Sequence, residues 1–174
     1  MPEIDAAAAR HRAHAARRQL LHSLSLTLAR HPGLVAYTRM LTRARRERLA
    51  RIALIFEFVH RLAAAEAVRR SRAQELREAG LREGDVPAAL LWAMLRAAGE
   101  RASVEYTREM AFVRVSVALA DVRRLPPWAR LLRSSAGGLE VGLAPAASWR
   151  PAGYLPPDVR AALRRRRAPL AIAS

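Results

Sequence analysis

Five arginines in nine positions, Arg43, Arg45, Arg46, Arg48 and Arg51 within TRARRERLARIALIFEFVHRL, stand directly against an apolar block. A guanidinium is a flat fork of N–H donors that stays charged and can grip two phosphate oxygens at once. On a helix advancing about 100° per residue, these five side chains spread right round the axis. Glu47 reaches Arg43 and Arg51 at i±4, while Arg45, Arg46 and Arg48 have no local acid. A turn charged on every side carries a large desolvation cost in a core. It is therefore expected to project, with the buried portion starting near Ile52. The chemistry on offer is phosphate binding through Arg43, Arg45, Arg46 and Arg48; the competing reading is a solvated charge run.

A second basic cluster, Arg160 with Arg164, Arg165, Arg166 and Arg167, has the composition of a polyanion-binding tail. Clusters of this size also suit anionic membrane surfaces, or simply a soluble terminus. Arg10, Arg12, Arg17 and Arg18 form a third basic zone near the N-terminus. With only 3 each of Phe, Trp and Tyr, and none interleaved in a basic patch, base stacking has little support. Backbone-directed binding that ignores sequence is the form these residues allow.

Two other groupings suggest different chemistry. His11, His14 and His22 fall within about 80° on a helix wheel, which invites a metal. The distance of His22 from His14, the absence of an acid between them and the surrounding arginines argue instead for a polar helix face. Glu57 and His60, an acid and a base at i, i+3, could do proton transfer, although a pairing of Glu57 with Arg61 is the simpler structure. Glu105 and Glu109 read as a salt-bridged face beside Arg101 and Arg108. No glycine-rich phosphate loop, Gly-x-Ser-x-Gly or His-Glu-x-x-His pattern occurs.

Composition removes further chemistries. All 31 cations are arginine, so Schiff-base lysines are excluded, and with no cysteine so are thiol catalysis, disulfides and cysteine-bearing zinc sites. No catalytic residue, metal ligand or cofactor is expected. Zero cysteines are compatible with a reducing compartment, and a cytoplasmic location is expected. The net charge of +16 is uneven: 11 arginines against 4 acids in residues 1–60, 9 against 8 in 61–110, 11 against 3 in 111–174. Such a field attracts nucleic acid, anionic lipid or an acidic protein. Alanine and arginine are both raised by GC-rich coding, but glycine, at 8 of 174, sits below its usual ~7% share. That imbalance suits a helix-building chain.

These residues must be positioned by helices. An alanine-rich run from Asp5 to Arg30 ends at His31-Pro32-Gly33. From Leu34 to Ala79 no glycine or proline intervenes, so the run is one long helix or two with an unmarked break. Leu49, Ile52, Phe56, Val59 and Ala63 form a 3-4-3-4 seam, with Ile55, Phe58 and Leu62 beside it, predicting a central buried helix. Asp85 as cap and Pro87 in the first turn predict a further helix to about Ala98. Residues 101–122 fit either period and are read as helix; a β-hairpin of 110–120 with 139–144 is the competing arrangement. Residues 134–174 are rich in proline and arginine and are expected to run extended.

The expected fold is mainly α: an irregular bundle of four to five helices over 1–133, with a proline-rich C-terminal extension over 134–174. The expected function is non-enzymatic binding of DNA or RNA backbone, within a larger nucleoprotein assembly. The alternative is a helical adaptor docking on a protein complex through its extension. No stretch approaches the ~20 apolar residues of a membrane span.

Overall fold

The fold is known from a computed structural model, which describes residues 2–67, 80–82, 84–106, 111–118, 121, 130–135 and 138–143. It is mainly helical. Among the described residues four helices, α1 (Pro2–Arg30), α2 (Pro32–Thr42), α3 (Arg48–Ala67) and α4 (Asp85–Ala97), pack with an antiparallel sheet of four strands. The strands are β1 (Ala102–Tyr106), β2 (Ala111–Val117), β3 (Arg130–Ser135) and β4 (Gly138–Leu143), in the order β1-β2-β4-β3.

The helix reading of residues 101–122 is overturned. Strand alternation prevails: Ala111, Val113, Val115 and Val117 are buried, while Phe112, Arg114 and Ser116 face the other way. A helix would have spread these β-branched valines around its surface. A sheet gathers them on one face. The competing pairing is present as β2 against β4, with Val113 opposite Leu143 and Val117 opposite Leu139, although it is not a hairpin because β3 lies between them in the chain. The expected boundary at 133/134 falls inside the β3–β4 hairpin. The rest of the expected extension, 144–174, lies outside the described residues.

The core is where α3 and α4 meet this valine face. Ile52, Ile55, Phe56 and Val59 of α3 pack with Leu91, Met94 and Leu95 of α4 and with Val113, Val115, Val117 and Leu143 of the sheet. The predicted seam is thus buried from Ile52 to Val59, while Leu62 stays exposed. Leu34 and Leu41 of α2 lie against the same cluster.

The unmarked break in the 34–79 run falls at residues 43–47. Its cause is tertiary. A straight helix from Leu34 to Val59 would be about 38 Å long, roughly twice the ~20 Å of α4. Both segments reach the core at α4 only if the chain turns back, which it does, bringing the Tyr37 and Phe58 rings to 5.2 Å. At its other end α2 is set by the His31-Pro32-Gly33 stop: His31 Nδ1 accepts the Leu34 N–H at 3.2 Å and Pro32 occupies the first turn.

Candidate polyanion-binding turn

Helix α4 ends in a Schellman motif. The Gly99 N–H donates to Arg96 O at 3.0 Å and the Glu100 N–H to Leu95 O at 2.9 Å. Gly99 sits at φ 83°, the left-handed region where glycine carries no side-chain penalty. The motif delivers Glu100 into a buried position, 4% exposed, at the start of α3. A buried carboxylate needs charged partners, and two arginines from the first turn of α3 supply them. Arg48 Nε donates to Glu100 Oε2 at 2.7 Å and Arg51 to Oε1 at 2.9 Å. Arg48 also donates to Ser116 O at 2.8 Å, and Arg51 to Arg46 O at 2.8 Å. The last bond ties the 43–47 turn to the clamp.

The five arginines therefore divide. Arg43, Arg45 and Arg46 are exposed on a turn whose backbone is held by Arg51 and by an Arg45 N–H to Thr42 O bond of 2.9 Å. Arg48, expected among the phosphate ligands, is engaged by Glu100 and Ser116. The charged ring drawn on a continuous helix does not form, because the helix is interrupted there. The turn still projects, since a reversal of direction displays its side chains. Arg160, Arg164, Arg165, Arg166 and Arg167 lie outside the described residues.

A second clamp sits at the opposite end of α4. Asp85 lies one residue inside the N-terminus rather than at the cap, and is fully buried. Arg17 of α1 grips both carboxylate oxygens, Nε at 2.7 Å and a terminal nitrogen at 2.5 Å. The Arg82 N–H adds a third bond at 2.8 Å. Arg17, Leu21 and Ser25, spaced i, i+4, i+8, form the buried stripe of α1.

On the sheet, Arg114 bridges diagonal neighbours, Glu105 on β1 and Glu140 on β4; Arg108 and Glu109 of the expected salt-bridged face lie outside the described residues. Glu57 is exposed, and His60 stacks on Phe56 with ring centroids 5.8 Å apart. Among the described residues no group of three metal-ligating side chains converges. His11, His14 and His22 line a groove between α1 and β1 with Arg18 and Tyr106. Tyr106 is held above the ordinary tyrosine value, first by burial and then by the Asp85 charge, with Ser25, Arg18 and Arg17 opposing.

Sequence reasoning missed both clamps, because each joins residues at least 49 positions apart. One signal was present: glycine followed by an acid just after the α4 pattern marks a Schellman end that aims the acid back at the body. Among the described residues no helix is long and apolar enough to cross a membrane. Comparison with known protein families, curated proteins and solved structures finds no match.

Proposed function

We propose that the protein is a non-enzymatic binder of nucleic-acid backbone, acting as a subunit of a nucleoprotein assembly, with the 43–46 turn as a principal contact. The observation that carries this reading is the separation of arginines by role. Two of the five, Arg48 and Arg51, are consumed by the buried Glu100, and they hold out three, Arg43, Arg45 and Arg46, that face solvent. The backbone of the turn is pinned, so it need not reorganise to bring its guanidinium groups to phosphates. The net charge of +16 strengthens the attraction at long range. The basic residues at 160 and 164–167 extend the same chemistry along the chain.

The absence of aromatics among the exposed arginines of the turn favours contacts to phosphate over contacts to bases. Binding should thus be indifferent to sequence and steep in salt. The experiment is titration of a labelled random duplex, and of a single strand, at rising salt. A protein making 6–10 phosphate contacts loses about 10³–10⁵ in affinity between 50 and 200 mM salt. A flat salt dependence, or no binding at low salt, overturns the proposal.

The adaptor reading gains one observation of its own: Tyr37, Met40 and Leu62 are large apolar side chains left exposed on α2 and α3. In that reading an acidic protein, rather than nucleic acid, meets the turn. Salt-resistant co-purification of a protein, without nucleic acid, distinguishes it.

A further inference from the structure

We propose that the groove between α1 and β1 is a separate anion site that takes a phosphorylated small molecule. It lies beyond the nucleic-acid reading, at the Asp85 end of α4, whereas the arginine turn lies at the Glu100 end. One wall is a single stripe of α1: His11, His14, Arg18 and His22 at i, i+3, i+7 and i+11. The facing wall is β1, with Glu105 and Tyr106. The groove measures about 640 Å³, within the range of small-molecule sites.

Its charge is decided by what is already paired. The Glu105 carboxylate is bonded to Arg114, which it shares with Glu140, and it lies on the opposite face of the sheet from Tyr106 by strand register. Asp85, the nearest buried acid, is taken up by Arg17. Among the described residues no ion pair involves Arg18, which places a guanidinium beside three imidazoles in the groove wall. A metal ion would meet that guanidinium; an anion would be drawn to it.

An independent feature points to a missing ligand. The Tyr106 hydroxyl, on the groove wall, and Ser25 Oγ, buried behind it, face each other, and neither has a hydrogen-bond partner of good geometry. Ser25 is 2% exposed. A buried hydroxyl without a partner costs about 1–3 kcal/mol, so such groups normally have one. A tyrosine hydroxyl is a donor at neutral pH, and Tyr106 lines the groove, so a small side-chain rotation brings its O–H to an acceptor oxygen there. Phosphate supplies several such oxygens. A neighbouring cleft lined by Arg10, Arg17 and Arg82 shares His11 and His14, which extends the basic surface around α1.

The probe is inorganic pyrophosphate, titrated calorimetrically at constant ionic strength. Binding is expected, with Arg18→Gln weakening it at least ~10-fold and Tyr106→Phe about 3-fold, the scale of one charged and one neutral hydrogen bond. Arg43→Gln/Arg45→Gln/Arg46→Gln should leave pyrophosphate affinity within about 2-fold, and Arg18→Gln should leave duplex affinity similarly unchanged. Arg18 is exposed, so its variant should keep the parent's circular dichroism; His22→Gln provides a second probe of the same wall. No binding to ~10 mM pyrophosphate overturns the proposal. So does an unchanged affinity in both Arg18→Gln and His22→Gln. Abolished pyrophosphate binding in the triple turn variant would also overturn it, by placing the anion on the turn.

Discussion

Replacing Arg17 with Met should be among the most damaging single changes in the protein. Methionine keeps most of the aliphatic stem, so packing against α4 is largely retained and the guanidinium alone is removed. Asp85, fully buried, is left with the Arg82 N–H in place of the bidentate grip. Stranding one charge of a buried pair costs about 3–5 kcal/mol. Against a typical domain stability of ~5–15 kcal/mol that is about a fifth of the total or more. It should lower Tm by roughly 6–20 °C for a chain of this size. The assay is urea unfolding followed at the helix band for the parent, Arg17→Met, Asp85→Asn and the double variant. Asn in place of Asp keeps an acceptor for Arg82 without the charge, so the double variant should recover much of the loss. The coupling energy should exceed about 2 kcal/mol. A destabilisation below about 1 kcal/mol for Arg17→Met, or additivity within ~0.5 kcal/mol, would refute the reasoning.

Gly99→Ala should cost about 1 kcal/mol by the same assay, purely from the left-handed backbone, since a Cβ there would meet nothing within 4 Å. Met94→Ala, at the centre of the core and fully buried, should cost about 2–5 kcal/mol, read as a fall in the urea midpoint. Tyr106, whose folded value is raised, contributes stability that is complete below the ordinary tyrosine value near ~10 and is lost as pH climbs through the folded value. Absorbance at alkaline pH should therefore show one tyrosine ionising later than the rest. Tyr106→Phe should abolish that late step and leave stability equal or higher in the ligand-free protein, because the hydroxyl it removes makes no hydrogen bond of good geometry.

The helices and their apolar faces were legible in the sequence because each depends on residues a few positions apart. The Ile52–Val59 seam, the Asp85–Ala97 helix and the stop at His31-Pro32-Gly33 are all local signals. Residues 111–117 misled because Val113 and Val117 satisfy a period of 3.6 as well as one of 2. Only the presence of β4 as a partner, and a helical layer needing an apolar face to cover it, decides between them. The turn at 43–47 carried no glycine or proline to announce it, since the break is set by two helices sharing α4. The arginines there were visible, but their division of labour was not. Arg48 and Arg51 look like Arg45 and Arg46 until Glu100 is brought beside them from 49 to 52 positions away. The groove was half visible: the three histidines stood out on one helix face, but the strand that faces them, ending in Tyr106, lies in the stretch that fits a helical period equally well.

The central claim, that Arg43, Arg45 and Arg46 are presented to phosphates while Arg48 and Arg51 hold the turn, is tested most directly by salt dependence. Duplex affinity would be measured from low to moderate salt for the parent and for the variant carrying Gln at positions 43, 45 and 46. The account predicts an unchanged unfolding midpoint and a slope of log affinity against log salt that is shallower by about 2–3, near 0.9 for each phosphate the variant no longer neutralises. An identical slope in the two proteins would contradict it.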